Sequence, residues 1–273
     1  SEPVEPRFEQ LDFDHPLWVL YSSGTTGKPK GIVHSHGGVT IDKYKENGLH
    51  YDLGPQDTVY FAVSTTWAVW NMMVVSMLLG SAVVFYDGSP THEGPATHFA
   101  ITSRYGVTLV MLGSAVFTQV ENSGVVPAEE YDLSAVRSLM TGGSPLPHRT
   151  WEWVYGSVRS DVKLGSECGG TDVAGAFLGS NAYGSVYAGE LMGPHLGIAA
   201  ETWNPEGERV FGQVGELVVT RPAPAMPIMF WGDEDGSRYS SAYFDVYPGV
   251  WRHGDWATQL PSGEFIIHGR SDS

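Results

Sequence analysis

Residues 21–31 read YSSGTTGKPKG, a string whose residue types point to phosphate chemistry. Glycines let main-chain N–H groups come close to a ligand. Ser22, Ser23, Thr25 and Thr26 add hydroxyl donors, while Lys28 and Lys30 add positive charge. Together with Gly24 and Gly27 they suit a polyphosphate, which presents many acceptor oxygens and several negative charges. The spacing departs from the P-loop pattern G-x-x-x-x-G-K-[ST] because Pro29 follows Lys28, so a P-loop NTPase is disfavoured. A solvated glycine-rich turn is the plainer alternative.

Such a loop needs elements to hold it. The apolar run PLWVL precedes it, and 18–22 reads as a strand. Further short apolar runs predict strands at 59–63, 82–86, 108–112, 136–140 and 162–164. Amphipathic stretches between them predict helices at 39–47, 70–79, 96–105, 115–122 and 148–158. This alternation implies an α/β fold: a mostly parallel sheet with helices on both faces. Ligands of such sheets sit at the carboxyl ends of the strands, and the loop after 18–22 is expected at one of them. From about residue 196 the texture changes to short strands (LGIAAETWN, GELVVT, WATQL, EFIIHG) between Gly, Pro and Asn turns. A smaller β-rich subdomain without a long helix is therefore expected over 196–269, beside an α/β subdomain over 1–195. No repeats occur, and RPAPAMP reads as a proline-rich connector.

The 273 residues carry 15 basic and 31 acidic side chains, a net charge of −16. That balance argues against general nucleic-acid or acidic-membrane binding. Only five lysines occur, and two of them lie in the loop. With one cysteine, Cys168, no internal disulfide can form, which fits a reducing, cytoplasmic setting. The opening SEPVEPRFEQ has no apolar signal core, so export is not expected. A first residue other than Met and a last one inside GRSDS imply a piece of a longer product. Residues 62–86 are uncharged, but Gly80-Ser81 divides them into a helix feeding a strand, so membrane insertion is not expected. Oligomeric state is left open.

The loop string resembles the phosphate-binding signature of the adenylate-forming enzymes, the superfamily of acyl-CoA synthetases, luciferases and peptide-synthetase adenylation domains. Four further segments resemble that superfamily's motifs, in its order: TGGSPLP (141–147), GGTDVAG (169–175), WRHGDW (251–256) and GRSDS (269–273). Longer stretches, among them FDHPLWVLYSSGTTG, KGIVHSHGG, PAMPIMFWGDEDGSRY and YFDVYPGVWRHGDW, look like its branch acting on the short 3-keto acid acetoacetate. The likeness runs from about Phe13 to Ser273, within the family's large N-terminal domain.

The resemblance implies ATP-dependent adenylation of a carboxylate followed by transfer to coenzyme A, with Mg²⁺ as metal. It would give Ser22, Ser23, Gly24, Thr25, Thr26, Gly27 and Lys28 to the β- and γ-phosphates. Thr171 would donate to the α-phosphate, and Asp172 would help to hold Mg²⁺. Gly143, Ser144 and Pro145 would frame adenine, Asp255 would accept both ribose hydroxyls, and Arg270 would reach the ribose edge. By the same likeness 270–273 begin a hinge around Asp272 to a C-terminal domain carrying a catalytic lysine, so this chain alone is expected to bind nucleotide but scarcely to make acyl-adenylate.

Trp67, Trp70 and Asn71 occupy the segment that borders the acyl group in short-chain relatives, although both tryptophans would serve equally as core. Two positions depart from the pattern. Cys168 stands where relatives place an aromatic to stack on adenine, and Asp172 is one methylene shorter than the usual Glu, leaving room for a water between carboxylate and metal. Cys168 has no His or Asn near it in sequence, so a buried thiol is favoured over a nucleophile. His34, His36 and His253 show no metal-site spacing, and packing roles are expected. Another short-chain acyl-CoA synthetase, of the acetyl or propionyl type, and a nucleotide-binding remnant are the alternatives.

Overall fold

Apolar strand residues alternate between two helical layers in the central sheet, as the period of a strand requires. The computed structural model describes residues 5–22 and 29–272. Its strands are β1 (Pro16–Ser22), β2 (Lys30–Ser35), β3 (Thr58–Phe61), β4 (Ala82–Val83), β5 (Leu109–Met111), β6 (Ser138–Gly142) and β7 (Lys163–Gly170). Then follow β8 (Gly175–Leu178), β9 (Ala200–Trp203), β10 (Val214–Val219), β11 (Met229–Phe230), β12 (Trp251–Gln259) and β13 (Phe265–Arg270). The helices are α1 (His36–Lys45), α2 (Ala68–Val74), α3 (Thr97–Arg104), α4 (Ser114–Ser123), α5 (Pro127–Glu130), α6 (His148–Ser157) and α7 (Ser237–Phe244).

The central sheet has the order β4-β3-β5-β6-β7-β8 and is parallel except for the edge pair β7–β8. Tyr60, Val110, Leu139 and Leu164 pack one face against Phe99, Phe117 and Trp151 of α3, α4 and α6. Val59, Phe61, Leu109, Met111 and Met140 pack the other against Val69 and Met73 of α2. Burial on both faces explains why these strands read as continuous apolar runs. The expected α/β class therefore holds, and so does the β-rich region: β13-β12-β10-β9 form an antiparallel sheet. Its core joins Leu217, Val219, Trp251 and Phe265 to Phe177 and Leu178 of β8.

One expectation needs correction. The strand before the loop is not part of the parallel sheet. β1 pairs antiparallel with β2, with Ser22 opposite Lys30, and β2 pairs antiparallel with β11. The run KGIVHS, fully or nearly buried from Gly31 onward, forms a strand directly after the loop, so the loop joins a hairpin rather than a βα unit. The β-rich region also holds one short helix, the eight-residue α7. Its Tyr243 packs among aromatic rings, 3.6 Å from the Trp251 ring, and this packing stabilises a helix too short to stand alone. WRHGDW lies inside β12. Among the described residues no helix is long and apolar enough to cross a membrane.

Candidate active site

β6 and β7 run parallel, with Thr141 beside Ser166 and Gly142 beside Glu167, so their carboxyl ends emerge together. After β6 the chain turns at Gly143, whose φ of +84° favours glycine. The segment Gly143–Leu146, the strand residues Ser166–Gly169 and Asp255, Ile267 and Arg270 then wall a cavity of about 320 Å³. Asp255 arrives there because β12 is bulged against β10, where the register shifts between Glu216 and Val218. Gly254 sits in the bulge at φ +87°, and a Cβ there would stand 2.9 Å from the Arg270 guanidinium and 3.0 Å from the Asp272 carboxylate. Any larger residue at 254 would both strain the bulge and push against that pair.

A second, more polar cavity of about 340 Å³ is bordered by Ser22, Lys30, Asp172, Tyr243, Arg252, His253, Arg270 and Asp272. Ser22 thus brings the first hydroxyl of the phosphate-type loop to this space. Ser23, Gly24, Thr25, Thr26, Gly27 and Lys28 lie outside the described residues. The Lys30 ammonium stands 5.5 Å from the centre of the Tyr243 ring, within cation–π range. Arg270 borders both cavities.

Thr171 and Asp172 open a short 3₁₀ turn, Thr171–Val173, between β7 and β8, and both are half-buried. Two residues that sequence reasoning did not single out for this turn hold Asp172, one by its carboxylate and one by its main chain. The Tyr243 hydroxyl donates to Asp172 Oδ1. His34, wholly buried on β2, contacts the Asp172 carbonyl through Nε2 at 3.0 Å. Trp18 Nε1 donates to His34 Nδ1 at 3.2 Å, so Nδ1 is the acceptor and Nε2 carries the proton. Burial lowers the His34 pKa to about 4, only partly offset by its bond to Asp172. The neutral ring therefore ties the loop-bearing hairpin to the Asp172 turn. Burial, followed by the Asp172 charge, pushes the Tyr243 hydroxyl far up, keeping it a donor.

Asp255 is 7% exposed, and burial raises its pKa despite His253 and Arg270 nearby. Its Oδ2 lies 3.4 Å from His253 Nε2, 3.7 Å from Arg270 Nη1 and 4.0 Å from Cys168 Sγ. Arg270 is instead held two-pronged by Asp272, with Nε donating to Oδ1 at 2.8 Å. Burial opposes that pairing, yet Arg270 keeps the Asp272 carboxyl below its usual range. Cys168 has no histidine near it in sequence, but His253 is near it in space. Burial and the Asp255 charge push its thiol well up, which agrees with an inert thiol.

Trp67 is 39% exposed, and its indole edge would lie 3.7 Å from a Cβ at Gly143. Trp70 stacks at a tilt on Phe85, 6.2 Å away, and Asn71 is half-buried on α2. Of the three, Trp67 thus stands beside the first cavity's Gly143 edge, while Trp70 packs against the core on the α2 side of the sheet.

The family model described as AMP-binding enzyme matches residues 1–228. Acetoacetyl-CoA synthetase of Gallus gallus is 43% identical over 97% of this chain and 40% of its own length. The acetoacetyl-coenzyme A synthetase of Rhizobium meliloti (strain 1021) is 41% identical over 97% of this chain and 41% of its own. The solved acetoacetyl-CoA synthetase from Streptomyces lividans superposes with a TM-score of 0.96 at 47% identity, covering all of this chain and 43% of that one. This chain spans about 40% of the length of the curated relatives it matches. With the matched model covering most of its residues, the chain belongs to the AMP-binding enzyme family.

Proposed function

We propose that this chain supplies the nucleotide-binding part of an ATP-dependent acid–thiol ligase that adenylates acetoacetate and passes the acyl group to coenzyme A. In the first step a carboxylate oxygen attacks the α-phosphorus of ATP and pyrophosphate leaves, giving the acyl-adenylate. In the second, the coenzyme A thiolate attacks the acyl carbon and AMP departs. Positioning and charge neutralisation carry such chemistry, because little covalent work falls to the protein. The name shared by relatives that match nearly the whole chain supports acetoacetate as substrate.

One observation carries the reading: a cleft with a buried, under-donated carboxylate, Asp255, adjoins a polar cavity bordered by Lys30, Arg252 and Arg270. In this reading the first takes adenosine, with Gly143, Ser144 and Pro145 along the base and Asp255 accepting from both ribose hydroxyls. Arg270 would reach the ribose edge. The second takes the phosphates, with Ser22 to Lys28 on the β- and γ-groups and Thr171 on the α-group. Asp172 offers one carboxylate beside this polar space, which fits Mg²⁺, an ion that keeps few protein ligands beside phosphates and waters. Bound there, Mg²⁺ would neutralise phosphate charge. Tyr243 holds the carboxylate, and His34 the main-chain carbonyl of the same residue, whether or not the ion is present. Trp67 would border the acyl group, with Trp70 and Asn71 behind it, and Asp272 would mark a hinge after subdomains 1–195 and 196–269. The partners are small molecules in a cytoplasmic setting.

The test is ATP affinity by titration calorimetry. Lys28→Ala is expected to weaken binding by about 10-fold or more, the cost of a charge-assisted bond to phosphate. Unchanged affinity would remove the loop from the phosphate site. For the acyl group, rates with acetoacetate, acetate, propionate and butyrate in the whole protein decide; equal rates with acetate refute the 3-keto assignment.

A further inference from the structure

Cys168, His253 and Asp255 place one sulfur, one imidazole nitrogen and one carboxylate oxygen within 4.8 Å of one another, on β7 and β12. The measured separations are 3.4 Å from His253 Nε2 to Asp255 Oδ2 and 4.0 Å from Cys168 Sγ to the same oxygen. Metal–ligand bonds of ~2.0–2.3 Å at tetrahedral angles set ligand atoms ~3.3–3.8 Å apart, so small side-chain adjustments seat one ion. The His253 ring is already oriented, edge-on to Phe177 at a centroid distance of 5.0 Å. Arg270 stands 3.7 Å from Asp255, but Asp272 neutralises its guanidinium. Cys168 and Asp255 also face the first cavity, which leaves a fourth ligand position open.

We infer that these three residues bind a borderline-soft divalent cation of the Zn²⁺ class and that the bound ion excludes a nucleoside from the cavity. Thiolate and imidazole select such ions over Mg²⁺ and Ca²⁺, which prefer oxygen. Binding displaces the thiol proton to solvent and moves the His253 proton from Nε2, which faces the Gly169 carbonyl at 3.3 Å, to Nδ1, freeing the Nε2 lone pair for the ion. The exclusion rests on the proposal that Asp255 faces ribose; the metal site itself does not.

The probe is Co²⁺ added to the 273-residue chain. With a single cysteine, any thiolate-to-cobalt charge-transfer band in the near ultraviolet reports this site alone. The band is expected to saturate at one equivalent, to vanish in Cys168→Ser, and to need about 10²-fold more Co²⁺ in His253→Gln and Asp255→Asn. Far-ultraviolet circular dichroism verifies that each variant is folded. In the unaltered chain, Zn²⁺ is expected to slow alkylation of Cys168, a readout independent of the variants. No band at millimolar Co²⁺, a band indifferent to both substitutions, or alkylation unaffected by Zn²⁺ overturns the site. Adenosine, a poor chelator, is expected to raise the apparent Co²⁺ dissociation constant; equal adenosine binding with and without metal overturns the exclusion. Adenosine that fails to bind even the metal-free chain refutes the nucleotide reading and the exclusion with it, while the cobalt band still decides the metal site.

Discussion

Two buried polar clusters flank β7, and they behave in opposite ways. Behind the strand, Lys43 is fully buried and pairs with Glu46 and, at 3.3 Å, with Asp42, which also takes Lys45 at 2.7 Å. Glu46 receives Tyr51 Oη at 3.1 Å and the Ala176 amide at 3.3 Å. Glu167 receives both the hydroxyl and the amide of Ser180, at 2.6 and 3.0 Å. His195 completes the group, stacked on His50 at 4.0 Å and 3.3 Å from Glu167. In front of the strand, Asp255 is also buried, though less deeply than Asp42, Lys43 and Glu46, and its nearest described donors stand at 3.4 Å or beyond. Burial of charge alone therefore does not mark a ligand site. A buried carboxylate whose partners stop short, on the wall of a cavity, does.

The comparison breaks first at Lys43. Lys43→Met leaves the buried Glu46 carboxylate without its cation, while Asp42 keeps Lys45, and is expected to cost ~3–5 kcal/mol in urea unfolding. The folded fraction should bind ATP as before. If stability is unchanged, the closed cluster is not a structural brace. Asp255→Asn should act the other way: little lost stability, since burial already disfavours its charge, but ATP binding weaker by ~2–3 kcal/mol through the loss of charged ribose bonds. Calorimetry and unfolding on the same sample separate the two effects.

His34 sharpens the contrast through pH. Its folded pKa, about 4, lies below the usual 6.5, so the unfolded chain takes up the proton first. Its contribution is present above pH 6.5 and fades as pH falls toward 4. Between pH 7 and 5 this single group should cost ~2 kcal/mol of stability. His34→Gln should lack that slope; denaturant midpoints at the two pH values measure it. The smallest expected effect is Tyr243→Phe, which removes one hydrogen bond to Asp172. ATP binding should weaken by ~1.5 kcal/mol with Mg²⁺ and by less without it. An equal loss in both conditions would show that Tyr243 acts by packing on Trp251 rather than by holding the carboxylate.

Local patterns made much of this legible. The helices at 36–45, 97–104, 114–123 and 148–157 fall within a few residues of the periodic stretches that predict them. The strands of the parallel sheet announce themselves as short apolar runs because both their faces are covered. Where local patterns stopped short, a non-local partner decided. β2 is a strand because β1 and β11 flank it, and α7 forms because Trp251 and Phe230 give its aromatics a surface. β4 is only two residues long, at the edge of the sheet with a single partner.

By itself, then, the sequence determined composition-level matters: an acidic chain with two of its five lysines in one glycine-rich loop, a layered α/β core, and motif segments in a telling order. Only tertiary structure decided which side chains meet. Tyr243 lies 71 residues from Asp172, and Asp255 lies 87 from Cys168. Such contacts depend on strand order, register and the bulge at Gly254, and these are set by packing between distant segments, which leaves no periodic trace in the local sequence.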